Sequence, residues 1–307
     1  MTGRFAPSPT GELHVGNLRT ALVAWLAARS AGSEFIVRME DLDRVTSSVE
    51  HERRQLADLS AIGIDWDGEV VRQSERFERY RAAIRLLEQR GLVYPCYCTR
   101  REIRREIEAA ASAPHGELPA DGYPGTCRDL TREERSEREA VGRPAALRLR
   151  TEREQIEFVD VLAGVRRGPV DDVVLQRGDG VPAYNLAVVV DDAAQGVTQV
   201  VRGDDLLSST PRQVLLQRLL GLPTPEYLHV PLVVGPDGER LAKRHGAVTL
   251  SQLAERGVSV SEVVAWLAAS IGLAAPVGGL GVRELIDGFD PSAVPRHPVT
   301  VVDLSAR

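Results

Sequence analysis

The chain has 307 residues, 43% of them hydrophobic and 27% charged, with a formal net charge of -6. That length can bury a large core and points to two or three domains, and the acidic balance argues against a protein that coats nucleic acid through bulk charge. There is no apolar run long enough to span a bilayer and no basic start followed by an apolar core, so a cytoplasmic protein without membrane contact is expected.

Arg4-Phe5 reads as the end of a buried strand, Ala6-Pro7-Ser8-Pro9-Thr10-Gly11 as a rigid turn, and a helix opens near His14, with Leu18, Leu22, Trp25 and Leu26 on helical spacing. Such a turn suits phosphate, because the unpaired N–H groups and positive dipole end of the helix point above it. Gly16 lets an anion approach, and His14 adds a side-chain donor. Phe35 to Met39 then reads as a strand delivering Glu40, Asp41 and Asp43 to the ligand crevice of an α/β sheet, which makes Glu40 a candidate for holding an ammonium group. An amphipathic segment follows from about Val49 to Ile62. Ser74 is a candidate cap for a helix with Phe77, Tyr80, Ile84 and Leu87 on one face.

Composition changes at Tyr94-Pro95. Arg100, Arg101, Arg104 and Arg105 share a short helix, an Ala/Pro/Gly-rich loop runs from Ala109 to Gly125, and strand-like runs recur at Ala145 to Leu149, Ile156 to Val161 and Val173 to Gln176. This is too long and structured for a loop, so an insertion is expected. It holds all three cysteines, Cys96, Cys98 and Cys127, too few for a disulfide framework and clustered as for a structural zinc. Three thiolates need a fourth ligand. Ligand chemistry alone favours His115, with Tyr123 the other candidate.

The αβ pattern resumes with the apolar run Ala183 to Asp192, read as a strand, and continues with a second strand at Val197 to Arg202. Thr210-Pro211 starts a helix, Leu228 to Val234 is a strand, and Gly235 to Gly238 is a turn delivering the cationic loop Arg240-Leu241-Ala242-Lys243-Arg244. A mobile loop of cations suits in-line attack on an α-phosphate, where charge builds on the leaving pyrophosphate. Ser259 and Glu262 form a capping box for a last helix, and the residues from Gly278 on are expected to pack loosely. A crevice holding an acidic amino acid wants one acid and at least one arginine, and Arg4, Ser8, Glu40, Tyr184 and Arg202 sit at strand ends or turns that would converge.

Several of these stretches carry a family resemblance. His14-Val15-Gly16-Asn17 resembles the HIGH signature of class I aminoacyl-tRNA synthetases, with Asn17 in place of the second histidine, and Arg4 to Gly11 resembles its glutamyl and glutaminyl form. Arg240 to Arg244 is similar to the KMSKS signature, with Arg240 for the first lysine and Lys243 for the second. The resemblance implies a Rossmann-like α/β catalytic domain interrupted by a zinc-containing α+β insertion and followed by a short helical C-terminal region. In residue ranges these are 1–94, 95–170, 171–248 and 249–307.

It further implies a ligase, with His14 and Lys243 catalytic and His14, Gly16, Asn17, Arg240 and Lys243 holding ATP with Mg2+. Arg4, Phe5, Ala6, Pro7, Ser8, Glu40, Tyr184 and Arg202 match the L-glutamate site of that branch. Cys96, Cys98, Tyr123 and Cys127 match its zinc site, in which a tyrosine completes the three cysteines. Only about sixty residues follow the second signature, where discriminating glutamyl-tRNA synthetases carry anticodon-binding domains. The chain is therefore most similar to the truncated branch that activates glutamate without tRNA and esterifies it to queuosine at the wobble position of tRNA(Asp). Arg100 to Arg105 would supply phosphate contacts, and a monomer is expected. The alternatives are glutamylation of tRNA(Glu), or a non-catalytic tRNA-binding module.

Overall fold

The computed structural model describes residues 2–111, 122–239, 241, 248–276 and 281–301, with side chains for all of these but 107–111. The first part alternates strand and helix: β1 (Thr2–Phe5), α1 (Val15–Ser30), β2 (Glu34–Met39), α2 (Val49–Ala61), β3 (Val71–Arg72) and α3 (Phe77–Gln89). Next come β4 (Val93–Cys96), α4 (Arg100–Ala111), α5 (Arg132–Ala140), β5 (Ala146–Leu149), β6 (Gln155–Asp160), β7 (Gly164–Pro169) and β8 (Val174–Gln176). The remainder is α6 (Tyr184–Ala194), β9 (Gln199–Gly203), α7 (Thr210–Leu220), β10 (Glu226–Val230), β11 (Val233–Val234), α8 (Leu250–Glu255), α9 (Val260–Ser270) and β12 (Val299–Thr300).

Seven strands form one sheet in the order β3-β2-β1-β9-β10-β6-β7, parallel except that β7 returns antiparallel to β6. The chain builds outward from β1 through β2 and β3, then resumes on the other side of β1 with β9. Strand order reverses there, so the crossovers diverge and a crevice opens at the carboxyl ends of β1 and β9. Arg4 and Phe5 end β1, and Arg202 and Gly203 end β9. Helix α1 seals the sheet, with Leu18, Leu22, Trp25 and Leu26 fully buried. It lies so close to β1 that a Cβ on Gly3 would stand 2.9 Å from that of Ala28, which only glycine avoids.

Strands β4, β5 and β8 make a separate antiparallel sheet, with Cys96 at the end of β4. The β6–β7 hairpin, adjacent in sequence, instead extends the main sheet through β10.

Three expectations need correction. Ala183 to Asp192 is not a strand but the start of helix α6, apolar nearly all round and buried on most sides, so its valine run gave no period with which to recognise it. Ser74 does not cap α3. Its hydroxyl and backbone N–H both bond to Asp41, at 2.6 and 2.9 Å, and the helix begins after Arg76 with no side-chain cap. The described residues from 281 on do not pack loosely. Val282, Leu285, Phe289, Val294 and Val301 join the core under α1, because β12 returns to pair with β11.

Candidate active site and metal centre

At the reversal point lies a cleft of about 630 Å³ whose walls include Arg4, Phe5, Ala6, Pro7, Ser8, His14, Gly16, Asn17, Glu40, Tyr184 and Arg202. Residues far apart in sequence thus face one space. The turn after β1 is held from outside by Gln55 of α2, whose amide donates to the carbonyls of Ser8 (3.1 Å) and Gly11 (2.7 Å). His14 and Asn17 form a reciprocal cap: Nδ1 of His14 accepts from the Asn17 backbone at 3.1 Å, and the Asn17 amide oxygen accepts from the His14 backbone at 3.1 Å. A neutral His14 therefore carries its ring proton on Nε2. Asparagine can close this cap without a charge, which accounts locally for its presence at position 17. A Cβ on Gly16 would stand 3.0 Å from the His14 ring and 3.3 Å from Val233.

The same turn touches the chain at Val248 and Thr249, after the cationic stretch. Val15 N–H donates to the Val248 carbonyl at 2.8 Å, and His14 bridges to Thr249. The segment just after the Arg240–Arg244 stretch is thereby fixed beside the N-terminus of α1. Arg240, Lys243 and Arg244 themselves lie outside the described residues, as does His115.

Charged groups around Arg202 and Arg4 are buried and cross-braced. Arg202, 5% exposed, donates Nε to Nε2 of His229 (3.0 Å), Nη1 to Gln213 (2.7 Å) and Tyr184 (3.4 Å), and Nη2 to Thr210 (2.8 Å). Four of its five N–H groups are thus spoken for, leaving one on Nη2. His229 is set in turn by Asp160, whose Oδ2 lies 2.7 Å from Nδ1, with neither side chain exposed. Burial, reinforced by the Arg202 charge, holds His229 below the usual histidine range. Asp160 stays low despite burial because His229 and the Ala163 backbone donate to it. A neutral His229 with Nδ1–H toward Asp160 offers its Nε2 lone pair to Arg202.

On the other wall, Asp192 pairs with Arg38 (2.8 Å) and faces Arg4 (3.5 Å), while Arg38 also reaches Glu40 (3.3 Å). Arg38 and Arg4 hold the Asp192 carboxyl below its ordinary value against burial. At Glu40 the balance is opposite: burial pushes it up more than Arg38 and Arg4 pull it down. A carboxyl so placed gains from an incoming cation. Gln55, Asp160, Asp192, Gln213 and His229 are site-forming residues that sequence reasoning missed. The only signal was polarity in apolar surroundings, as for His229 between Leu228 and Val230 on β10.

The cysteine lobe brings three thiols together, all ligand atoms within 4.8 Å of one another. Sγ of Cys98 lies 3.4 Å from that of Cys127, and the Tyr123 hydroxyl lies 3.3 Å from Cys96 and 3.7 Å from Cys98. A tetrahedron with bonds of about 2.3 Å has edges of about 3.8 Å, so these spacings suit a bound metal. The Tyr123 ring is also covered by the Arg148 guanidinium at 3.7 Å. Helix α4 joins the lobe through Ile103, which packs on the cysteine cluster, and its first turn is closed by Thr99 and Glu102.

Fold and cleft together define an α/β protein with a ligand cleft at the strand-order reversal, and comparison places it among the synthetases. The family of class I tRNA synthetases (E and Q), catalytic domain, matches residues 1–272, and the chain belongs to that family. Within it two glutamyl-Q tRNA(Asp) synthetases are similar over nearly their full length. That of Nocardia farcinica is 62% identical across 98% of this chain and 93% of its own, and that of Symbiobacterium thermophilum 51% across 98% and 96%. Among solved structures, the glutamate-tRNA synthetase of Elizabethkingia anophelis superposes with a TM-score of 0.84 at 28% identity, covering all of this chain and 69% of that one.

Proposed function

We propose that the protein activates L-glutamate with ATP, without tRNA, and transfers it to queuosine at the wobble position of tRNA(Asp), acting in the cytoplasm as a monomer. The observation that carries the chemistry is the single cleft uniting the phosphate-type turn with Arg4, Arg202 and Glu40. The choice of acceptor rests on the similarity to the two glutamyl-Q tRNA(Asp) synthetases, which favours it over glutamylation of tRNA(Glu) or a non-catalytic module.

In this reading Glu40 receives the substrate ammonium, Arg4 and Arg202 face its carboxylates, and the Phe5 to Ser8 turn and Tyr184 shape the pocket. The α-carboxylate oxygen attacks the α-phosphorus of ATP and pyrophosphate leaves. His14 Nε2–H, the α1 N-terminus with Gly16 and Asn17, Arg240 and Lys243 stabilise the charge that develops. Magnesium bound with ATP would supply charge screening at its phosphates. A hydroxyl of the queuosine cyclopentenediol then attacks the carbonyl of the mixed anhydride and AMP departs. Cys96, Cys98, Cys127 and Tyr123 would hold one structural zinc that fixes the lobe, and Arg100 to Arg105 would meet RNA phosphates.

The test is transfer of labelled glutamate to tRNA(Asp) with and without queuosine, and to tRNA(Glu). Transfer confined to the queuosine-containing RNA is expected. Charging of tRNA(Glu) instead would overturn the choice of acceptor.

A further inference from the structure

A second cavity, of about 450 Å³, lies between β7, the Tyr123 loop and the start of α7. Its walls carry four arginines, Arg153, Arg166, Arg167 and Arg212, against one acid, Asp171. That is a concentration of positive charge on a chain whose total is -6. Arg212 is held by Asp171 at 2.7 Å, and Arg153 donates to the Pro124 carbonyl at 3.0 Å. Arg153 is also the one non-glycine residue with positive φ (53°) among the described residues, a conformation that costs free energy and here sets an arginine at the rim. The side chains of Arg166 and Arg167 are exposed and make no hydrogen bond or ion pair among the described residues; as neighbours on β7 they leave opposite faces of the strand, Arg166 on the face of Phe158 and Arg167 on that of Glu157. Beneath the arginines the floor is apolar, with Phe158, Val170 and Leu207.

An apolar floor under a cationic rim, in a volume of this size, suits one unstacked nucleotide, its base on the floor and its phosphate at the guanidinium groups. The position relative to the reaction cleft says which nucleotide. The short 3-10 turn Asp204–Ser209 separates the two spaces: Asp205 and Leu206 face the cleft, while Leu207 and Ser208 face this cavity. An RNA that presents one nucleoside to the cleft must lead its chain away past such a wall. We infer that this cavity binds a nucleotide flanking the one that receives the glutamyl group, with Arg166 as its main phosphate contact and Arg167, Arg153 and Arg212 as rim. The inference rests on the reading that an RNA acceptor enters the cleft.

The experiment is fluorescence anisotropy with a labelled anticodon stem-loop RNA of tRNA(Asp), titrated with the full chain at several salt concentrations. The double variant R166A/R167A, on an exposed edge strand, is compared with R79A/R85A on the exposed side of α3. The expected result is a loss of at least tenfold in affinity for R166A/R167A alone, with the slope of log K against log salt falling by about 1.4, roughly 0.7 per lost single-strand contact. Unchanged binding by R166A/R167A, equal weakening by R79A/R85A, or no RNA binding by the unaltered protein would each overturn the inference. Because the readout needs no glutamyl transfer, its failure is distinguishable from failure of the proposed function, which shows as an unaltered protein that cannot modify queuosine RNA.

Discussion

Cationic side chains around Arg202 and Arg4 in the cleft are cross-braced from several elements, whereas those of helix α4 and strand β7 face water. Arg202 spends four donors on protein partners, and Arg38 and Arg4 share Asp192. Arg100, Arg101, Arg104 and Arg105, like Arg166 and Arg167, are exposed, with no ion pair among the described residues. In the proposed function the difference follows from what each would recognise. A buried cation that selects one small acid must be fixed in advance, since an arginine free to relax would accept a neutral analogue at lower cost. A phosphate backbone is met instead by charges whose strength comes from displaced counterions, and these need no bracing.

Disrupting the braced end should have the largest effect. Arg202→Ala leaves His229, Gln213 and Thr210 without their shared donor and removes the side-chain charge facing the cleft. Glutamate-dependent ATP–pyrophosphate exchange should lose at least about a hundredfold in kcat/KM, or about 2.7 kcal/mol. An effect below tenfold would mean that Arg202 is structural only.

In the cysteine lobe, Cys98→Ala should abolish stoichiometric zinc, measured by metal analysis, and lower Tm. Unchanged metal content and melting would remove the zinc centre from the account.

A smaller, graded loss should mark the relay behind Arg202. His229→Gln keeps an acceptor near Nε2 and should cost roughly tenfold in glutamate KM, while His229→Phe, which takes one side-chain partner from each of Arg202 and Asp160, should cost more. Equal losses would show that His229 acts by volume alone.

The same relay gives a pH dependence. The folded-state value of His229 is depressed below the ordinary value of about 6.5, so its contribution is complete above that pH. It is lost as pH falls through the depressed value, when the protonated ring can no longer accept from Arg202. Glutamate KM should be flat from about pH 7 to 8 and rise on acidification, and the rise should vanish in His229→Gln. At the other extreme, Arg53 pairs with Glu50 on the open face of α2, and Arg53→Ala should leave both Tm and exchange unaltered.

Much of this arrangement was legible in the sequence where chemistry is local. The turn from Arg4 to Asn17, the acid after β2 and the arginine ending β9 each sit in a short local pattern, and the cysteines, though Cys98 and Cys127 are 29 positions apart, were marked by their residue type. The bracing was not legible, because Asp160, Asp192, Gln213 and His229 meet their partners across 11 to 188 positions, the latter being the separation of Arg4 and Asp192. Helix α6 was misread for a related reason. Buried on most sides, it shows neither a helical nor a strand period, and only the pairing of Asp191 with Arg76 and Tyr80, and of Asp192 with Arg38, explains why acids end an apolar run.

The most direct measurement of the central claim is ATP–pyrophosphate exchange by the unaltered protein in the absence of tRNA, with glutamate, glutamine and aspartate in parallel. The expected result is exchange with glutamate and at least a hundredfold less with glutamine, whose neutral amide leaves a braced arginine without its counter-charge. No exchange with glutamate, or equal exchange with glutamine, would contradict it.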